Sequence, residues 1–318
     1  MPKVLFLGCN HDQTPYLEAA LKLGFAVIAT DKNPDAPGAK LANRFYPVSY
    51  TDTKNLEGII RREQLGQSDH IFTASSHFAY EAAAHLAAKI GLEFPSPEVI
   101  NICLDKSRLY PFLNECNISV PQTTIFNPHD LNALKPDKEY FLKSDYGKSP
   151  KYCFQISKGH IPELPSRFDN FYRRHFLLQE SVAGTHYRIN LFNGSQEAAI
   201  FIKFSDTSSA PLSIVGPGHK DVINKLQGLV NKLALSKWLV KFDIIVNSDD
   251  WYVIDIGLDP PLRLKLLYDY VDMNFADYYT SHYLQGERML SWAKLCRPIL
   301  IKGTPGKGFD FIPLVKEE

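Results

Sequence analysis

The sequence predicts an α/β domain followed by a mixed α+β remainder, and three observations carry that prediction. The first ninety-odd residues alternate short apolar strands with helical segments, the order that builds a parallel sheet with helices on its faces. The later chain offers runs in which apolar residues recur with a period of two, the mark of half-buried strands. Near the end, in residues 241–261 (KFDIIVNSDDWYVIDIGLDPP), two such runs flank a turn, and each carries one acid where a plain strand has none.

Residues 3–8 read as the first strand, 14–23 as a helix and 26–31 as a second strand ending in Asp31. The pattern continues through the strand at 67–73 and an alanine-rich helix at 79–90. Strand-end residues of such a sheet line a ligand crevice, which nominates Gly8, Asn10, Asp31, Ser75, Ser76 and His77. A dinucleotide site is not supported: the first turn, Gly8-Cys9-Asn10-His11-Asp12-Gln13, lacks the GxGxxG that lets backbone approach a pyrophosphate. His77 reads either as a catalytic base or as a helix cap.

Pro95-Ser96-Pro97 marks a boundary, followed by helices at 97–104 and from 105 through 114. The strand Tyr140-Phe141-Leu142-Lys143 then runs into Ser144-Asp145-Tyr146-Gly147-Lys148-Ser149. A lysine at a strand end beside a small-residue loop suits phosphate, because the loop turns N–H groups toward an anion that the ammonium neutralises. Residues 176–190 (FLLQESVAGTHYRIN) combine a strand, a glycine turn and a second strand, an arrangement able to hold a purine by its edge. A long helix is expected from Val222 to Lys237, with Asp221 and Asn224 as caps.

In the hairpin, a three-residue loop pairing Asn247 with Trp251 places Asp243 opposite Asp255. Like charges directly opposite each other repel. A divalent cation between the carboxylates relieves the repulsion, and Mg²⁺ takes oxygen ligands in this way together with substrate phosphates. Two solvent-facing acids beside lysines is the other reading of the hairpin alone.

Composition sets the class. The 318 residues, 45% hydrophobic and 22% charged, suffice for more than one core. Lys plus Arg and Asp plus Glu are 35 each, so no overall field attracts nucleic acid or anionic lipid. No apolar run has the length of a membrane span and no signal peptide is evident, so the expectation is a cytoplasmic protein with no membrane or nucleic-acid partner. Five widely spaced cysteines without a CxxC read as buried thiols, not as a disulfide framework or a zinc site.

Together these pieces resemble the ATP-grasp superfamily over nearly the whole chain up to about residue 290. Residues 1–95 look like its preceding α/β domain, in the manner of the carbamoyl-phosphate synthetase and phosphoribosylaminoimidazole carboxylase branches. Residues 96–175 and 176–290 are similar to its small (lid) and catalytic lobes, leaving 291–318 as an extension, a packed tail or a lid. Asp105-Lys106 followed by Cys116-Asn117-Ile118-Ser119-Val120-Pro121 resembles the entry to the small lobe. By that resemblance Lys106 and Lys143 contact phosphate, Gly147 to Ser149 form the lid, and Gln179-Glu180-Ser181-Val182 is the adenine hinge. Gly184-Thr185-His186 stands where the family has Gly-x-Glu, so His186 departs from the usual ribose ligand. Asp243 and Asp255 fall on the two metal positions. The family's Glu-x-Asn-x-Arg reads Asp255-Ile256-Gly257-Leu258-Asp259 here, which nominates Asp259 as the replacement ligand and Arg263 as the displaced phosphate-contacting arginine. Lys203 reads either as a further lysine of the same cleft or as a solvated surface lysine, and Asn10, Ser76, His77, Arg188 and His219 are weaker substrate candidates.

The resemblance implies ATP and Mg²⁺ as cofactors and a ligase that joins a small-molecule carboxylate to an amine through an acyl phosphate. Residues 144–151 and 205–210 would close over the nucleotide. A kinase of the same fold and a nucleotide-binding protein with a degraded metal site are the alternatives, and the resemblance also brings a homodimer into consideration.

Overall fold

The structure is a computed structural model that describes residues 1–74, 77–127, 134–147, 152–157, 160, 175–192, 198–204, 208–212, 217–248, 250–286, 299–304 and 308–313. In chain order the N-terminal elements are β1 (Lys3–Leu7), α1 (Thr14–Lys22), β2 (Ala26–Thr30), β3 (Arg44–Tyr46), α2 (Thr53–Arg62), β4 (His70–Phe72) and α3 (His77–Ile90). Their strands form a parallel sheet in the order β3-β2-β1-β4. One face packs Leu5, Leu7, Ile28 and Ile71 against Leu56, Ile59 and Ile60 of α2 and the alanines of α3. The small alanine side chains let that helix lie close on the sheet. The Asp31 carboxylate accepts the backbone N–H groups of Cys9 and Asn33 (both 3.0 Å), fixing the turns after β1 and β2.

Helices α4 (Pro97–Leu104) and α5 (Lys106–Glu115) follow, each begun by a side-chain cap, Ser96 to the Val99 N–H and Asp105 to the Ser107 N–H. Strands β5 (Thr123–Ile125), β6 (Glu139–Ser144), β7 (Cys153–Ser157) and β8 (Phe176–Glu180) make a small antiparallel sheet in the order β5-β8-β6-β7. The remaining elements are β9 (Thr185–Phe192), β10 (Ala198–Lys203), β11 (Ser208–Leu212), α6 (Pro217–Lys232), β12 (Leu239–Val246), β13 (Trp251–Gly257), α7 (Leu262–Tyr270), α8 (Phe275–Gln285), β14 (Ile299–Thr304) and β15 (Gly308–Pro313). Their strands form a seven-stranded antiparallel sheet, β13-β12-β9-β10-β11-β14-β15. The stretch read as an extension therefore supplies two strands that continue this sheet past β11. Helix α6 begins at Pro217 and ends at Lys232, so Asp221 and Asn224 lie inside it and are not its caps.

Period-two patterning explains how the large sheet is used. On one face Ile189, Leu191, Ile200, Val240, Phe242 and Ile244 pack with α4, α5 and α6 in a single core. On the other, Phe192, Ala199, Phe201 and Leu239 join Leu264, Leu267, Tyr268 and Tyr279 of α7 and α8, and that core continues into Val4, Phe6 and Phe72 of the first sheet and Tyr16 of α1. The two sheets thus share buried surface. The opposite end of the same face carries polar residues.

Candidate active site

That polar end is laid out as rungs across paired strands. β9 lies between β10 and β12, and β12 pairs with β13, so residues at matching register point the same way. One rung aligns Lys203, His186 and Ile245; the next aligns Arg188, Asp243 and Asp255; a third aligns Asn190, Lys241 and Gly257. The hairpin reaches the expected Asp243–Asp255 pairing by a different route. Its turn has four residues, with Val246 paired to Trp251, and a β-bulge between Asp243 and Ile244 restores the register. The bulge thus undoes the one-residue slip that the longer turn introduces.

Facing these rungs, the small sheet and the start of α5 complete a cleft of about 690 Å³. Lys106, Lys143, Gly147, Gln179, Glu180 and Val182 line it from that side, and His186, Arg188, Lys203, Asp243, Asp255 and Asp259 from the other. Lys106 opens α5; its Nζ donates to the Gly147 carbonyl (2.7 Å) and lies 3.7 Å from Asp255 Oδ1. Gly147 has φ +79, a left-handed conformation that favours glycine. Lys143 donates to Tyr110 Oη (2.7 Å) and Gln179 Oε1 (2.6 Å), and Tyr110 donates to the Ile254 carbonyl (3.1 Å) on β13. Burial lowers the Lys143 pKa to about 8. The hinge is held by its own backbone, with the Glu180 and Ser181 N–H groups donating to the Gln122 and Glu139 carbonyls (both 2.9 Å). The Glu180 carboxylate pairs with Lys138.

Asp243, Asp255 and Asp259, the acids that line the cleft, each have a cation beside them. Arg188 grips Asp243 with two hydrogen bonds, Nε to Oδ1 (2.8 Å) and Nη2 to Oδ2 (2.6 Å), and His186 Nε2 stands 3.3 Å from Oδ1. Burial pushes the Asp243 carboxyl up, and His186 and Arg188 more than reverse this, holding it well below the usual carboxylate range. Asp259 pairs with Lys241.

Several expectations change. Arg263 sits in the first turn of α7, beyond Pro260-Pro261, where its Nε donates to Ser209 Oγ (2.6 Å) of β11, the register partner of Lys203, and it is not among the residues lining the cleft. Asn10 lies elsewhere, in a pocket of about 360 Å³ at the carboxyl ends of β1 and β2, and its Oδ1 accepts the Gln13 N–H (3.3 Å). Arg188, a substrate candidate from sequence, is committed to Asp243. Ser76, Ser149 and the side chains of His77 and His219 lie outside the described residues.

No family model matches the chain. In sequence it is 34% identical over 62 residues to the formate-dependent phosphoribosylglycinamide formyltransferases of Burkholderia lata and Burkholderia cenocepacia, a match to 20% of this chain that spans only 15% of those relatives' length. The structure superposes on N5-carboxyaminoimidazole ribonucleotide synthetase from Thermotoga maritima with a TM-score of 0.72, covering 95% of this chain and 81% of that one at 16% identity. It superposes on the biotin carboxylase domain of Hydrogenobacter thermophilus 2-oxoglutarate carboxylase, determined with MgADP, ADP and bicarbonate, with a TM-score of 0.70 over 98% and 76% of the two chains at 13% identity. For L-amino acid ligase from Bacillus licheniformis the TM-score is 0.66, over 94% and 78% at 15% identity.

The chain has the ATP-grasp fold.

Within the ATP-grasp fold, Mg²⁺ fits part of the expected ligand set. Asp243 and Asp255 offer carboxylates from adjacent strands to one cleft, and Mg²⁺ characteristically takes one or two carboxylates and completes its shell with phosphate and water. Asp259, nominated as a further ligand, lines the same cleft with its carboxylate paired to Lys241, as that of Asp243 is paired to Arg188. Among the described residues no three His, Cys, Asp or Glu side chains group as a metal cluster. Sequence reasoning missed Lys241 and Tyr110. Both had a signal: Lys241 is two residues before Asp243 on one strand face, and Tyr110 is four after Lys106 on one helix face.

Proposed function

We propose that the chain is an ATP-dependent carboxylate–amine ligase with its nucleotide in the 690 Å³ cleft. The observation that carries this reading is the register of β12 and β13, which sets Asp243 against Asp255 in a cleft that Lys106 and Lys143 enter from the opposite side. Adenine lies against Gln179 to Val182, and the phosphates run toward the Asp243–Asp255 rung. Mg²⁺ held by these two carboxylates would neutralise phosphate charge.

Phosphoryl transfer asks mainly for positioning and charge compensation. Lys106, tethered to Gly147, and Lys143, fixed by Tyr110 and Gln179, supply cations whose heads are held before the nucleotide arrives. A substrate carboxylate oxygen attacks the γ-phosphorus, the bond to the β-phosphate bridging oxygen breaks, and ADP leaves. An amine then attacks the acyl carbon, loses a proton, and expels inorganic phosphate. The enzymes named above, which act on small molecules, support this class. The same cleft chemistry excludes neither acid nor amine by size, so substrate identity lies with the surrounding surfaces.

The test is an ADP-release screen over small carboxylic acids, with and without amines, using hydroxylamine to trap an activated acyl group. Hydroxamate formation that Asp255→Asn abolishes is expected. ADP release with a stable phosphorylated product and no hydroxamate would replace the ligase with a kinase, and nucleotide binding without any turnover would leave a binding protein.

A further inference from the structure

The rungs of the large sheet give the cleft a direction. β9 leaves the hinge at Thr185 and passes His186, Arg188 and Asn190 in turn, while the antiparallel β12 returns past Lys241, Asp243 and Ile245. Lys241 is therefore one rung, about 7 Å at roughly 3.4 Å per residue, farther from the hinge than the paired aspartates. Beyond Gly257, its partner on β13, the chain turns toward the first domain, where Tyr80 Oη donates to the Leu258 carbonyl (3.0 Å). On the nucleotide site proposed above, with the base at the hinge and the phosphates running along these rungs, the third rung is the next one beyond the paired aspartates.

The third rung is built to present one cation. Gly257, opposite Lys241, has no side chain to stand between the ammonium and the cleft. Asn190, on the other side, is buried and donates to the Ala199 carbonyl (3.1 Å), so it closes the floor. The Lys241 side chain is only 11% exposed, lines the cleft, and its head is fixed by Asp259. The other cations stand elsewhere: Lys106 and Lys143 enter from the small-lobe side, Arg188 is clamped to Asp243, and Lys203 lies on the rung nearer the hinge.

We propose that Lys241 is a catalytic residue that binds the terminal phosphoryl group of the nucleotide, with Asp259 as its positioning residue, so that one divalent ion per nucleotide suffices. An ammonium carries three donors, so it can meet Asp259 and a phosphoryl oxygen together. It does from the protein what a second metal ion would do at the reactive end of the triphosphate. This inference rests on the nucleotide site described above and gives Asp259 a role other than metal ligand.

The experiment measures binding, which needs no knowledge of the substrates. The full chain is titrated calorimetrically with ADP and with the non-hydrolysable triphosphate AMP-PNP in Mg²⁺, and bound Mn²⁺ is counted by electron paramagnetic resonance at saturating AMP-PNP. One Mn²⁺ per nucleotide is expected. Lys241→Met should weaken AMP-PNP about tenfold or more while moving ADP about twofold or less, the loss of one charge-assisted hydrogen bond to the third phosphate. Lys241→Arg should restore most of the difference. Asp259→Asn should weaken AMP-PNP in the same selective way and leave the Mn²⁺ count at one. Two Mn²⁺ per nucleotide in the wild type, equal weakening of ADP and AMP-PNP by Lys241→Met, or no weakening of either would overturn the assignment. A wild-type chain that binds neither nucleotide overturns the nucleotide site itself, and the assignment with it.

Discussion

Removing the Arg188 guanidinium tests the electrostatics of the cleft directly. The Asp243 side chain is 12% exposed and that of Arg188 17%, so solvent screens their pair weakly. Arg188→Ala leaves the Asp243 carboxylate with the His186 ring as its nearest partner, and stripping one member from a buried pair costs about 3–5 kcal/mol. The pH dependence carries the sign. Asp243 titrates below its unfolded value of about 3.9 in the native chain, so the pair stabilises the fold fully above that value and is lost as pH falls through the depressed folded pKa. In Arg188→Ala the burial effect dominates, the carboxyl pKa rises, and uptake of a proton relieves the penalty. The difference between variant and wild type, measured by urea unfolding, should therefore be largest near pH 7 and shrink toward pH 4. Replacing both partners, Arg188→Met with Asp243→Leu, should recover most of the stability. A loss below about 0.5 kcal/mol at pH 7 would lie within ordinary surface-substitution effects and refute the reasoning, as would a difference that does not change with pH.

Two further predictions concern Lys143 of the cleft and the glycine ahead of β9. Because burial brings the Lys143 pKa to about 8, the ammonium that meets phosphate is lost as pH rises, and ATP affinity should fall about tenfold between pH 7 and pH 9. Calorimetry showing a flat affinity over that range, or the same slope in Lys143→Met, would remove Lys143 from the phosphate site. Gly184 sits at the start of β9, where an added Cβ would lie 2.5 Å from the Val246 carbonyl oxygen and 2.9 Å from its carbon, both backbone atoms. Gly184→Ala should therefore destabilise by about 1–3 kcal/mol, with a lower urea midpoint, and a wild-type midpoint would show that β12 yields there.

Much of this architecture is legible in the chain. The parallel first sheet follows from strands and helices in alternation, and the cleft face of β9 and β12 from the recurrence of polar residues at every second position. The pairing of Asp243 with Asp255 was also legible, although the turn length inferred for it was wrong and the bulge supplied the missing residue. Strands β14 and β15 were not legible. Their pattern is interrupted by glycines, and only the edge of β11 gives them a place in the sheet.

The sequence by itself determined which side chains share a face, because strand periodicity is a local property of the backbone. It did not determine which side chain holds which charge. Arg188 to Asp243, Lys241 to Asp259 and Lys143 to Tyr110 are separated by 55, 18 and 33 positions, and each contact exists only because sheets or a helix bring those positions together. Coulomb attraction and burial act on distance in space, so tertiary structure alone decided that Asp259 holds a lysine, that Arg263 turns to Ser209, and where the cations of the cleft stand.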